Sequence, residues 1–346
     1  MSFKTYVKVL ILGIFIITAI FVFVYMKDIV LFLKSNKNTE EVANFKYLEL
    51  RERNFSYIYN DTIYTLYKNK FIGYDFEGKI KHQRVLDSDN YILKGINDKI
   101  FLYDNEKSKL IILSSENVLL KEFDYIYAID GIKSLEDDYV LLYQDGYNYK
   151  TMILNDRLEN IFDVGSNSSS VDVNKINRDT YNFLYLSSTD NGLKTIISKI
   201  SDDKSEEVEF ELSGYIPYKF YVDGNKVVIA TDLGLVFLNK YKVANKFGYE
   251  NFGGFYRLGD SYILYADGKI VYFDISGNIK NEEEIDGLEN LVKINDDLLV
   301  LYGGRDFYKL DKNGIKTHTQ TDRDIFNIYG NKNIVVEFKN GFMIYY

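Results

Sequence analysis

From residue 45 to its end the chain repeats one pattern eight times: a turn of Asn, Asp or Gly, a short apolar run, a second such turn, and another run. A period of a few tens of residues is the mark of a repeat architecture, in which each unit buries its apolar face only against its neighbours. The first turns are Asn60-Asp61, Asn97-Asp98, Asp137-Asp138, Arg178-Asp179, Asp223-Gly224-Asn225, Gly259-Asp260, Asn295-Asp296-Asp297 and Gly330-Asn331. The second turns are Asn69-Lys70, Asn105-Glu106, Asp145-Gly146, Asn191-Gly192, Leu233-Gly234, Asp267-Gly268, Gly303-Gly304 and Asn340-Gly341. The offset between them is about eight to ten residues in seven units and about fourteen in the fourth, and the units recur every 35 to 46 residues. The runs between turns, such as KIFLYD (99–104), SYILYA (261–266) and NIVVEF (333–338), are rich in Tyr, Ile, Phe, Val and Leu. Such residues suit a pleated, half-buried surface, so the runs read as strands. No stretch after residue 45 shows an apolar helical stripe of three turns. The single proline, Pro217, leaves turn-making to Asn/Asp-Gly chemistry, which favours tight hairpins.

Eight units of about 39 residues with four short strands each fit the blades of a β-propeller; a solenoid of stacked hairpins is the rival architecture. Closure favours the propeller. The last unit has three strands, DIFNIYG, NIVVEF and GFMIYY, and a spare strand, FKYLELRER (45–53), precedes the first unit. Completing the last blade with that strand removes an exposed sheet edge. The expectation is an all-β propeller of eight four-stranded blades over 45–346, closed by the N-terminal strand. Seven is the alternative count, because the third and fourth units are irregular.

Ahead of the repeats lies VKVLILGIFIITAIFVFVYM (7–26), with Lys8 as its one charge. The 18 residues from Val9 to Met26 make roughly 27 Å of helix, one hydrocarbon core. The segment has no polar stripe, as a soluble helix would, and ends on bulky Val22-Phe23-Val24-Tyr25-Met26, unlike a small-x-small cleavage site. It reads as one uncleaved transmembrane helix, with a cleaved signal peptide as the alternative. The basic residues on either side nearly balance, and a short tail before a lone N-terminal span usually stays inside. The expected order is a cytoplasmic tail (1–6), the transmembrane anchor (7–26), a juxtamembrane tether (27–44) and the propeller outside the cell membrane.

The run Tyr262 to Asn278, YILYADGKIVYFDISGN, is similar to the repeats of pyrroloquinoline-quinone-like propellers. The chain as a whole resembles a clostridial family of single-span, surface-exposed propellers, a likeness that covers residues 45 to 346. The resemblance implies a fold and an exported location. Quinoprotein blades are tied by a tryptophan-docking motif, and this chain has no Trp, so no cofactor is expected.

Composition excludes several chemistries. With no Cys, there are no disulfides, zinc-thiolate sites, iron–sulfur clusters or thiol nucleophiles. Forty-two Lys and Arg against 51 Asp and Glu give a net charge of -9, which argues against a nucleic-acid partner. His82 and His318 fall in the outermost strands of different units, and no metal-binding His pair, Gly-x-Ser-x-Gly elbow or phosphate loop is present. Ser166 to Ser170 reads as a flexible loop and Asp202 to Glu207 as a solvated insertion. Asp and Asn sit mainly at turns, where they bond their own backbone.

Propeller ligands usually meet the face made by the connections between blades and the hairpins between strands two and three. The candidate binding residues there are Asp89, Asn90, Tyr91, Tyr215, Tyr218, Tyr249, Glu250, Asn251, Glu289, Asn290, Asp322 and Arg323. No catalytic or metal-ligating residue is assigned. The expected role is a non-enzymatic interaction scaffold or ligand-binding module, with the membrane and a protein or cell-surface polysaccharide as partners. A surface glycan-active enzyme using Asp or Glu is the alternative.

Overall fold

Short β-branched and aromatic runs between residues that accept left-handed backbone have one inexpensive solution, the hairpin. In the computed structural model, which describes residues 45–124, 126, 128–177, 180–201, 205–330 and 333–346, the repeats form eight antiparallel four-stranded sheets. The molecule is an all-β, eight-bladed propeller. The expected tail (1–6), transmembrane helix (7–26) and tether (27–44) lie outside the described residues, as do turn positions 178, 179 and 331 and insertion positions 202–204. Among the described residues no helix is long and apolar enough to cross a membrane.

Several turns are made by the residues the sequence suggests, and others are offset, as where Lys68 takes the positive φ ahead of Asn69 and Lys70 already begins a strand. Asn60, Asn97, Gly224 and Asp267 take positive φ of 50°, 53°, 57° and 52°. In the third unit the left-handed residue is Glu136, just before the expected Asp137-Asp138, and Asp138 already begins the second strand. The long fourth offset comes from longer strands. Thr180–Thr189 and Gly192–Ser201 are each ten residues and pair from Thr180↔Ser201 to Thr189↔Gly192, where Ser261–Ala266 has six. The serine run is not a loop: Ser166 ends one strand, Ser169 and Ser170 begin the next, and Ser168 N–H donates to Ser166 Oγ at 3.0 Å.

The first strands of blades 1 to 8 are Phe55–Tyr59, Ile92–Ile96, Ile129–Leu135, Ser169–Asn177, Pro217–Asp223, Phe252–Leu258, Asn290–Lys293 and Ile325–Gly330. First strands of neighbouring blades touch one another, as in blades 1 and 2, 4 and 5, and 6 and 7, so they line the central channel. The fourth strands, such as Leu119–Asp124 and Ile279–Glu284, are mostly exposed and form the outer rim.

The core is a ring of eight apolar clusters, each between two neighbouring blades. Tyr64 and Phe71 of blade 1 stack with centroids 5.8 Å apart and pack against Leu93 and Leu102 of blade 2. Phe237 of blade 5 meets Phe255 and Phe273 of blade 6. The eighth cluster joins Val335, Phe342 and Ile344 of the last blade to Ile58, Ile63 and Phe76 of the first. Each buried Phe, Leu or Ile contributes about 1.5–3 kcal/mol, so every inter-blade seam is substantial. In the last sheet Gly341–Tyr345 pairs with Phe45–Glu49, from Phe45↔Tyr345 to Glu49↔Gly341. That strand has five residues, fewer than the run 45–53 read from sequence. Beyond it Leu50 N–H still donates to Asn340 O at 3.1 Å.

Candidate functional site

First strands approach closely around the axis. A Cβ on Gly95 would lie 1.9 Å from the Tyr57 ring of the neighbouring blade, and one on Gly330 would lie 2.0 Å from Ile294. Between blades 3 and 7 the strands stand back around a cavity of about 820 Å³. It lies toward the end of the ring that carries the hairpins between strands one and two, since Glu136, Gly259, Asp296 and Asp297 of those turns form part of its wall. A second cavity of about 470 Å³, against blades 7, 8 and 1, shares Tyr256 and Lys293 with the first.

The wall of the larger cavity is charged. Lys175 Nζ lies 2.7 Å from Asp138 Oδ2, Arg257 Nη2 3.0 Å from Asp223 Oδ2, and Lys293 Nζ 2.7 Å from Asp296 Oδ1. Lys293 holds the Asp296 carboxyl below the usual carboxylate range. Asp172 accepts from Lys133 Nζ at 3.3 Å and from Phe220 N–H at 3.3 Å. Asn174 Nδ2 donates to Phe220 O at 3.1 Å, fixing the fourth blade to the fifth. Lys219 projects between the rings of Tyr221 and Tyr256, 4.9 and 4.6 Å from their centroids. Burial lowers the pKa of Lys219 and raises those of Tyr221 and Tyr256.

The candidate residues read from sequence lie toward the other end of the ring, on connections between blades except for Tyr218 and Asn290, which sit at the starts of first strands. Two of their tyrosines are buried and structural. Tyr91 O–H donates to Asp87 Oδ1 at 3.0 Å, and Tyr249 O–H donates to Thr231 O at 2.6 Å. The structure brings Tyr218, Tyr249, Glu250 and Asn251 together between blades 5 and 6. There Phe252, the residue that follows Asn251 but is not among the candidate residues, sits 5.1 Å from Tyr218 and 5.7 Å from Tyr249, centroid to centroid. Tyr218 is 42% and Phe252 37% exposed, so this pair faces solvent. An open depression of about 690 Å³, lined by Leu233, Tyr249, Glu250, Asn251 and Asp267, adjoins them. Asp267 shapes it by accepting the backbone N–H groups of Asn251 at 2.8 Å and Glu250 at 3.2 Å.

Tyr215 accepts from Lys246 Nζ at 3.3 Å. Asp89 and Asn90, Glu289, and Asp322 and Arg323 occupy three separate connections, and Asn290 begins the first strand of blade 7. Asn90 Nδ2 donates to Glu106, and the Arg323 guanidinium lies 4.4 Å from the Tyr47 ring centroid. His82 and His318 are in outermost strands, and His318 Nε2 lies 2.8 Å from Asp306 Oδ1 with its ring stacked on Tyr308. Among the described residues no group of three or more His, Cys, Asp or Glu side chains is placed to hold a metal ion.

No protein-family model and no curated protein matches the sequence. Solved propellers match the structure. BamB from Moraxella catarrhalis, a PQQ-like β-propeller, is 12% identical with a TM-score of 0.56, over 87% of this chain and 97% of that one. The WD40 domain of SCAP from fission yeast is 10% identical with a TM-score of 0.50, over 88% of this chain and 98% of that one. At such identities the likeness is one of fold.

Proposed function

We propose that this chain is a membrane-anchored, extracytoplasmic propeller that works without catalysis, as a scaffold docking a protein or a cell-surface polysaccharide at the seam between blades 5 and 6. The observation that carries this reading is the solvent-facing Tyr218–Phe252 pair, backed by buried Tyr249 and rimmed by Glu250, Asn251 and Asp267. Rigid aromatics bordered by polar groups are the usual anchors of recognition surfaces, because they bury area at little entropic cost. The seam beneath is held by apolar packing between the two blades, so the platform is rigid. The carboxylates of the central cavity support the non-catalytic reading. Asp172 lies on Lys133 and Asp296 on Lys293, which fits structural use of both.

Anchorage rests on the apolar run 7–26, with the N-terminus inside and the wheel outside, as in the clostridial single-span propellers that the chain resembles. In this arrangement the strand Phe45–Glu49 closes the ring, so the tether reaches the propeller at its seam of closure. A photo-crosslinking side chain at position 218 in intact cells tests the docking surface. A discrete crosslinked product that disappears with Phe252→Ala is expected; labelling no stronger than from an outer-strand position such as Lys121 would contradict it.

A further inference from the structure

We propose that Lys219 anchors a small oxyanion ligand, one bearing a carboxylate or a phosphate group, inside the central channel. The inference goes beyond the docking surface and does not depend on it: Lys219 follows Tyr218 in the strand Pro217–Asp223, but it lines the central cavity with Tyr221 and Tyr256, whereas the Tyr218 ring packs on Phe252 at the solvent-facing seam. Around the cavity Lys133, Lys175, Arg257 and Lys293 each have a carboxylate: Asp172 at 3.3 Å, Asp138 at 2.7 Å, Asp223 at 3.0 Å and Asp296 at 2.7 Å. Lys219 has no carboxylate within ion-pair distance among the described residues; its ammonium faces the rings of Tyr221 and Tyr256. Ring faces attract a cation but accept its three N–H donors poorly. Asp172 acts on Lys219 only through space, with no hydrogen bond or ion pair between them; its oxygens accept from Lys133 Nζ and Phe220 N–H.

Two further features of the cavity favour a negatively charged ligand. Burial disfavours the Lys219 charge, outweighing Tyr256 and Asp172, and Lys293, across the same cavity, sets a second positive charge against it. Lys219 is half-buried, and a half-buried cation with no acceptor or counter-ion among the described residues has part of its desolvation uncompensated, whereas a methionine would fill the same space between two rings without that cost. A side chain kept against stability is characteristic of a binding site. An oxyanion between Lys219 and Lys293 would accept the free N–H donors and relieve the repulsion, and 820 Å³ accommodates a small organic acid or a phosphate ester.

The experiment is thermal unfolding of the full-length chain in detergent, titrated with citrate or with inorganic phosphate at constant ionic strength. A ligand of the folded state raises the midpoint saturably. At least one of the two anions should do so for the wild type, and whichever is tighter assigns the ligand to the carboxylate or the phosphate class. Lys219→Met should fold, unfold no lower than the wild type without anion, and bind at least about tenfold more weakly, as expected for loss of one charge-assisted contact. Lys219→Arg should retain a shift. The proposal is overturned if neither anion shifts the wild type, if Lys219→Met shifts equally, or if Lys219→Met and Lys219→Gln both fail to fold, which would make the lysine structural. Phe252→Ala, at a ring that does not line the cavity, should leave the anion response intact, so loss of partner docking and loss of anion binding register separately.

Discussion

Arg53 Nε donates to Glu337 Oε1 at 2.6 Å, joining residues 284 positions apart in the chain. The remaining guanidinium nitrogens donate to the carbonyls of Leu50 and Phe338, and the group lies 4.6 Å from the Phe342 ring centroid. Glu337 also accepts from Ser56 Oγ at 2.9 Å and from Tyr329 O–H at 2.7 Å. With side chains only 6% and 4% exposed, the pair ties the segment after the N-terminal strand, the first blade and the last blade into one buried network. The Tyr329 hydroxyl is driven well above its ordinary pKa by burial and then by the Glu337 charge, so it remains a donor.

Breaking one side of a buried, fully bonded pair strands the other charge. Arg53→Ala or Glu337→Ala should therefore lower the unfolding free energy by about 3–5 kcal/mol in urea titrations. Asp324→Asn, which breaks the exposed Arg305–Asp324 pair at 3.1 Å, should change it by less than about 0.5 kcal/mol. Equal effects at the two sites would show that the network carries no special weight.

The tyrosines of the connection face should divide by burial. Tyr249→Phe removes a buried O–H donor from Thr231 O and should cost about 1 kcal/mol. Tyr218→Ala removes a solvent-facing ring and should leave stability within about 0.5 kcal/mol while abolishing crosslinking from position 252. Reversed stabilities would move the docking surface elsewhere.

Acid should act through the hairpin carboxylates. Burial raises the Asp274 pKa, but the Asn278 side chain and the N–H groups of Asn278 and Ser276 together outweigh it and hold the carboxyl below its ordinary 3.8. Burial likewise raises Asp311, and Lys316 with the Asn313 N–H outweighs it. A folded-state pKa below the unfolded one means that the unfolded chain takes up protons first. The stabilisation is thus complete above pH 3.8 and disappears as pH falls through the folded-state values. The double variant Asp274→Asn/Asp311→Asn should be less stable at neutral pH and show a flatter decline between about pH 5 and pH 2 than the wild type. Parallel declines would contradict this.

Local chemistry explains what was legible in the sequence. Asn60, Asn97 and Asp267 lie at turns and take positive φ, which Asn and Asp accept more readily than most residues, so much of the punctuation of the blades is written in the sequence; Lys68, Lys240 and Tyr241 take positive φ at turns as well, where residue type gives no such signal. The ten-residue strands of the fourth blade blurred the period without breaking it. The channel site was not legible, because Lys219, Tyr221 and Tyr256 come from two blades and Asp172 and Lys293 from two others. Only the ring brings them together, and no spacing along the chain reports it. The Tyr218–Phe252 contact was missed for the same reason, and burial of Tyr91 and Tyr249 depends on seams between blades that a single strand does not reveal.

The strands Phe45–Glu49 and Gly341–Tyr345, far apart in the chain, complete one blade. Tyr47 and Met343 are direct partners in that pairing, and the chain has no cysteine of its own. Opposed positions on antiparallel strands lie within disulfide reach. The double variant Tyr47→Cys/Met343→Cys should form an intramolecular disulfide on mild oxidation, shift mobility on a non-reducing gel as a monomer, and unfold at a higher temperature than its reduced form. Free thiols throughout, or disulfides only between molecules, would contradict an end-to-end ring.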